Sequence, residues 1–121
     1  MRRRFSSVLV AVSVLAGTAA AQQASVAPGA TIRLLDRVTG QLEDVDMRVG
    51  QTARLGQIDI GLAECRYPTG NPSGDAYAYL EIEDRSSNRP VFEGWMVASS
   101  PALSALDHPR YDVWVIRCTT S

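Results

Sequence analysis

The sequence predicts a mostly β domain, either an antiparallel sandwich or a small barrel of about seven strands, with one short helix before the last strand. Short segments alternate apolar and polar side chains, and clusters of glycine, proline, serine and asparagine separate them. The sequence contains neither an internal repeat nor strands alternating with long helices. This pattern excludes a doubly wound nucleotide-binding fold.

Turn signals delimit the first four predicted strands. We expect these strands at residues 31–36, 45–49, 52–55 and 58–65. In the second strand, valine and methionine alternate with aspartate and arginine, which is typical of a strand with one face in solvent. In the fourth, Cys65 has the parity of the polar side chains. Either a β-bulge precedes Cys65, or a disulfide at this position lies outside the main core.

Three further strands follow a loop rich in proline and glycine. We expect them at residues 76–84, 90–98 and 111–118. In the first of these, the alternation turns alanine, leucine and isoleucine inward. The side chains that it turns outward are Tyr77, Tyr79, Glu81 and Glu83.

The helix is predicted at residues 101–106, between the last two strands. Ser100 can cap its first turn, and Pro101 fits a first helical position. Pro109 cannot continue a helix, so the helix must end before it.

The first 21 residues have the composition of a cleavable signal peptide. Arg2-Arg3-Arg4 form a positive region, residues 5–17 are apolar, and Ala19-Ala20-Ala21 supply the small residues that precede a cleavage site. The apolar run is shorter than the ~20 residues that cross a bilayer as a helix. We therefore expect residues 1–21 to be removed on export, leaving a periplasmic protein without a transmembrane anchor.

The exported chain is predicted to have a flexible lead at residues 22–30 and a single domain at residues 31–121. Two cysteines in an oxidising compartment normally pair. We therefore expect a structural disulfide between Cys65 and Cys118, because these cysteines lack the close spacing of a redox pair.

Composition excludes several classes of site. The chain has 12 arginines, no lysine and 13 acidic residues, so its net charge of −1 does not favour nucleic acid as a partner. One histidine and two cysteines are too few for a four-ligand zinc site, and no glycine-rich phosphate loop occurs. We expect neither a metal nor a cofactor.

Two longer segments carry a family resemblance. Residues 94–109 read GWMVASSPALSALDHP, residues 111–118 read YDVWVIRC, and residues 35–40 read LDRVTG. Over about residues 31–118 the chain resembles the family catalogued as domain of unknown function 2155. The resemblance implies an exported envelope protein of Gram-negative bacteria with two cysteines, and it supplies no catalytic or binding residues.

Two groups of polar residues could support hydrolysis. Serines 99, 100 and 104 lie near Asp107 and His108, which together are the residue types of a hydrolytic triad. Adjacent side chains seldom converge as a triad requires, so we interpret this group as structural. Glu81 and Glu83 share one face of a strand, where they could act as a glycosidase pair or simply form a solvated face.

Aromatic residues beside arginine are the preferred candidates for binding, because tyrosine, tryptophan and arginine predominate in interface hot spots. We expect His108 and Arg110 to be accessible to solvent beside Tyr111. The candidate binding residues are Tyr77, Tyr79, Trp95, His108, Arg110 and Tyr111. For the tryptophans the alternative is that the ring fills the core of a small sandwich.

The function predicted from these features is a non-catalytic envelope accessory or interaction module with a protein or glycan partner in the cell envelope. The alternatives are a small cell-wall or glycan hydrolase that uses Glu81 and Glu83, and an inhibitor of a hydrolase. The inhibitor role rests on fold-level analogy alone.

Overall fold

The computed structural model describes residues 10–11 and 23–120, and the fold is built from the second range. This part of the chain contains eight β-strands and a single 3₁₀ turn, Pro101–Leu103. The mostly β fold class predicted from the alternation is confirmed. The strands are β1 (Ala24–Ala27), β2 (Gly29–Asp36), β3 (Leu42–Arg48), β4 (Thr52–Leu55), β5 (Ile58–Pro68), β6 (Tyr77–Asp84), β7 (Arg89–Val97) and β8 (Tyr111–Thr119).

The strands form two antiparallel sheets. The large sheet has the order β1-β5-β6-β7, and β4 also pairs with β5. The small sheet has the order β3-β2-β8. Contacts of β2 with β5, and of β8 with β6 and β7, bring the two sheets face to face. The architecture is therefore a two-sheet sandwich.

The core lies between the inner faces of the sheets. In β6, the alternation predicted from the sequence buries Ala78, Leu80 and Ile82. Burying a leucine or isoleucine side chain contributes roughly 1.5–3 kcal/mol, so this layer is the main source of stability. The other strands that fill it contribute Ile32, Leu34, Ile58, Ile60, Leu62, Val113 and Val115.

A bulge in β5 decides the position of Cys65. Leu62 faces Leu80 of β6, whereas Glu64 faces Tyr79, and the register shifts between Leu62 and Glu64. The extra residue turns Cys65 inward, where it is fully buried. Of the two alternatives that the sequence left open, the bulge is confirmed.

The predicted disulfide joins the two sheets. Cys65 of β5 and Cys118 of β8 are bonded, and their Cα atoms are 5.9 Å apart. Both residues belong to the hydrophobic core. The bridge therefore links the centre of the large sheet to the last strand of the small one.

The predicted flexible lead is wrong for most of its length. Within residues 22–30, Ala24–Ala27 forms β1 and pairs with Cys65–Pro68, and β2 begins at Gly29. Alanine, serine and glycine have low strand propensity, so the local sequence gave no strand signal. The long β5 supplies the pairing partner that orders this segment.

The helix is shorter than predicted. Helical geometry covers Pro101–Leu103 rather than residues 101–106, and Ser100 makes no side-chain capping bond. A single turn gains too few hydrogen bonds to offset helix nucleation. Ser104 is extended, and Leu106 is buried in the core instead.

The predicted signal peptide at residues 1–21 lies outside the described residues apart from Val10 and Ala11. Within the described part of the chain, no helix has the length and apolar character needed to cross a membrane.

Candidate functional site

The candidate binding residues fall into two separate regions. Tyr77 and Tyr79 of β6 lie on the outer face of the large sheet, as their parity predicted, and Trp95 of β7 lies on the same face. The other three, His108, Arg110 and Tyr111, lie in the connection to β8 and at its start. The structure therefore does not bring the six residues together.

An aromatic pair occupies the outer face of the large sheet. Tyr79 lies directly opposite Trp95 across β6 and β7. Their ring centroids are 5.3 Å apart with an interplanar angle of 77°, which is an edge-to-face arrangement. Trp95 remains 39% exposed, although large aromatic rings usually lie in the core. The two packed rings together form an apolar surface that is partly exposed to solvent.

Arg66 of β5 completes this group and was not among the predicted site residues. Its guanidinium carbon lies 5.6 Å from the centroid of the Trp95 ring, which is cation–π geometry. Nε of Arg66 also donates to the Glu64 carboxylate at 2.5 Å. We call Arg66, Tyr77, Tyr79 and Trp95 the aromatic patch. Arg66 follows the β5 bulge, so parity counted from the start of the strand could not place it.

Three carboxylates continue the outer face beyond the aromatic patch. The Tyr79 hydroxyl donates to Glu93 at 3.1 Å, and this bond raises the pKa of Tyr79. Glu81 lies directly opposite Glu93, and Glu83 follows two residues along β6. Within the described residues, none of these three glutamates forms a salt bridge. We call Glu81, Glu83 and Glu93 the acidic row.

Beside the acidic row the surface is only shallowly concave. Gly61 of β5 has no side chain, so it leaves a depression of about 210 Å³ between Thr52, Asp59, Glu81 and Glu83. Both glutamates of the predicted hydrolase pair are exposed here. Catalytic carboxylic acids of glycosidases depend on enclosed apolar surroundings that raise their pKa. The open surface around Glu81 and Glu83 does not provide such surroundings.

The residues of the possible triad are held apart by other contacts. Ser99 donates its hydroxyl to Asp75 at 2.6 Å, and its backbone N–H donates to the same carboxylate. His108 Nε2 lies 2.8 Å from Asp84 on β6. Ser99 and His108 therefore each have a different acidic partner, and neither contacts the other.

The exposure predicted for His108 is wrong, because the side chain is only 8% exposed. Its Nδ1 accepts the backbone N–H groups of Arg110 and Tyr111 at 3.0 and 3.2 Å. The ring proton consequently lies on Nε2, which donates to Asp84. His108 thus fastens the connection to β6, and it offers no free nitrogen to a ligand.

Tyr111 is also buried, at 1% exposure. Its hydroxyl accepts the backbone N–H of Gln57 at 3.1 Å. The centroids of the Tyr111 and His108 rings are 5.2 Å apart. Arg110 is half-buried and covers the Tyr111 ring while its guanidinium binds both oxygens of Asp36. The predicted surface site at His108, Arg110 and Tyr111 is therefore a packed structural cluster, in which Arg110 is half-buried and the intervening Pro109 is exposed.

Metal coordination has no support in the described residues. No group of three or more histidine, cysteine, aspartate or glutamate side chains in residues 10–11 and 23–120 has an arrangement suited to a metal ion.

Residues 30–118 match a family described as an uncharacterised protein conserved in bacteria, domain of unknown function 2155. The chain belongs to this family. A curated relative, the uncharacterised protein RP359 of Rickettsia prowazekii (strain Madrid E), is 29% identical over 87 residues. That match covers 69% of this chain and 56% of the relative, so the chain spans little more than half of the relative's length. No solved structure matches the chain.

The carboxyls of Asp36 and Asp84 make the stability of this family member dependent on pH. A hydrogen bond from Arg110 is the main cause that lowers the pKa of Asp36 to about 2. Bonds from Ser86 and then His108 lower the pKa of Asp84 to about 2. Since the ordinary value is 3.8, the unfolded chain binds more protons than the folded one in this range. Stability is therefore lost as the pH falls from about 4 through 2.

Melting followed by circular dichroism should show this loss. We expect the melting temperature to fall between pH 4 and 2 in the wild type, and to fall less steeply in Asp36→Asn/Asp84→Asn, because asparagine does not ionise. Ser86→Ala is the partial change: it removes one of the bonds that lower the pKa of Asp84, so the fall should be shallower and should end at a higher pH. An unchanged acid profile in the double variant would show that these carboxyls do not carry the pH dependence.

Proposed function

We propose that this protein is a non-catalytic interaction module of the bacterial periplasm that binds its partner through the aromatic patch. The observation that carries the proposal is the Tyr79–Trp95 pair on the outer face of the large sheet, in which Trp95 is exposed and Tyr79 is half-buried. Exposed tyrosine and tryptophan beside arginine provide large contact areas at low entropic cost. The partner would be an envelope component that covers this face.

The fold leaves the aromatic patch free for binding. The core is filled by aliphatic side chains and Tyr111, so Trp95 is not needed to fill it. Antiparallel pairing of β5, β6 and β7 fixes the backbone positions of the patch, with register shifts only at Leu62/Glu64 and Ile82/Glu83. A surface held in this way loses little conformational freedom when a partner binds.

The proposed location rests on the leader and on the disulfide. Residues 1–21 have the charge, apolar run and small residues of a signal peptide. The Cys65–Cys118 bond is stable in an oxidising compartment such as the periplasm. Both features support export, and the buried bridge would then form after the chain leaves the cytoplasm.

Site-specific photo-crosslinking in cells tests the proposed surface. We expect a benzophenone amino acid at Tyr77 to crosslink a distinct envelope component, because Tyr77 lies at the border of the patch. The same group at Leu42, which is exposed on the small sheet, should give no such product. Trp95→Ala combined with the label at Tyr77 should remove the crosslink without changing the amount of periplasmic protein.

Two results would contradict the proposal. One is a crosslinked product of equal yield from the labels at Tyr77 and Leu42. The other is a product from Tyr77 that persists undiminished in the Trp95→Ala variant.

A further inference from the structure

We infer that the occupant of this outer face is an extended, arginine- or lysine-rich peptide segment of a partner protein. The inference rests on the proposed function and specifies the chemistry of the partner. Its basis is the joint presence of the aromatic patch and the acidic row on one continuous sheet face.

The three carboxylates of the acidic row have no arginine partner, a property they share in the described residues with Glu43, Asp46, Asp75, Asp84 and Asp107. Elsewhere in the described residues, five carboxylates pair with arginine: Asp36, Asp44, Asp59, Glu64 and Asp112. Glu81 and Glu93 instead face each other directly across two strands. Like charges in this position repel, so the free protein carries a cost that a bound cation would remove.

The spacing of the acidic row suits an extended chain. Glu81 and Glu83 are two residues apart on β6, which places them roughly 6.8 Å apart along the strand. Alternate side chains of an extended peptide have the same period. A peptide lying along β6 with a cationic residue at every second position could therefore meet both carboxylates, with Glu93 beside the first.

The aromatic patch favours a cation over a neutral sugar ring. Arg66 already lies over the Trp95 ring, and Tyr79 stands edge-on to it, so part of the stacking surface is occupied. The geometry also demonstrates that this ring accepts a guanidinium group. Since β7 is the last strand of its sheet, the far side of Trp95 borders no further strand and can accept a second cationic side chain.

A defined peptide tests the inference on the full, disulfide-bonded chain isolated from periplasm. The probe is a capped, fluorescent octapeptide of alternating arginine and glycine, and binding is measured by fluorescence anisotropy. We expect saturable binding that weakens as salt screens the charges. Glu81→Gln/Glu93→Gln should weaken binding by about fivefold to tenfold, since each exposed ion pair is worth a few-fold in affinity.

Control variants test whether the loss of affinity depends on the position of the removed charges. Glu43→Gln removes an exposed carboxylate from the small sheet and should leave the affinity nearly unchanged. Glu81→Gln/Glu93→Gln should not melt below the wild type, because the substitution removes a repulsion. Trp95→Ala should weaken peptide binding, and an octapeptide of alternating glutamate and glycine should not bind.

The outcomes distinguish this inference from the proposed function. Equal peptide affinity in Glu81→Gln/Glu93→Gln and Glu43→Gln would overturn the cationic partner, as would saturable binding of maltohexaose in place of the arginine peptide. If the Tyr77 crosslink still depended on Trp95 in either case, the aromatic patch would remain the binding surface. A Tyr77 crosslink that did not depend on Trp95 would overturn both the cationic partner and the proposed binding surface.

Discussion

Cys65→Ala/Cys118→Ala is expected to lower the free energy of unfolding by about 4 kcal/mol. The bridge closes a loop between residues 53 positions apart, and removing it restores conformational freedom to the unfolded chain. Urea denaturation followed by far-UV circular dichroism measures the loss. This change is large because typical domains are stable by only about 5–15 kcal/mol.

Reduced wild-type protein is the natural control for this variant. It lacks the covalent link but keeps both buried sulfur atoms, so the difference between the two samples isolates the small packing loss. A loss below about 1 kcal/mol in the double variant, at an unchanged denaturant slope, would contradict the expected role of the bridge.

Tyr111→Ala is expected to cost about 3–5 kcal/mol, as large aromatic-to-alanine changes in cores do. Tyr111 is the largest fully buried side chain among the described residues, and the His108 ring and the Arg110 guanidinium pack on it. Alanine would leave a cavity beneath the connection and deprive the Gln57 N–H of its acceptor. The same urea titration measures the effect.

Tyr111→Phe separates the two contributions. It keeps the ring and removes only the hydroxyl, so the expected loss is about 1 kcal/mol. It should also leave the arginine peptide's affinity unchanged, because Tyr111 lies away from the outer face of the large sheet. A peptide affinity that falls in Tyr111→Phe, or a Tyr111→Ala variant as stable as Tyr111→Phe, would contradict this assignment.

The strands that the sequence predicted best are those whose pattern is local. In β6, side chains alternate with period two, so the burial of Leu80 and the outward position of Tyr79 follow from the strand itself. In β5, alternation alone left two alternatives for Cys65: a β-bulge before it, or a disulfide outside the main core. The bulge that decides between them is defined by pairing with β6, which lies beyond a loop.

For the candidate site too, residues on regular strands were predictable from alternation, and residues in the irregular connection were not. Tyr77 and Tyr79 lie on a strand, and the structure places them on the outer face as their alternation indicated, whereas alternation had not placed Trp95. His108 and Tyr111 lie in or beside an irregular connection, where no periodicity marks the buried side. Their burial depends on Asp84 and Gln57, which are distant in sequence.

The sequence by itself determined the β class, the two faces of most strands, the family and the cysteine pair available for a bridge. Only the tertiary structure decided that the lead forms β1, that β5 carries a bulge, and that His108 and Tyr111 fold inward while Arg66 joins Trp95. The physical reason is that alternation specifies which side chains share a face, and it acts between neighbours in the chain. Which strand or loop covers each face depends on contacts between distant residues, whose free energy is gained only when the whole sandwich forms.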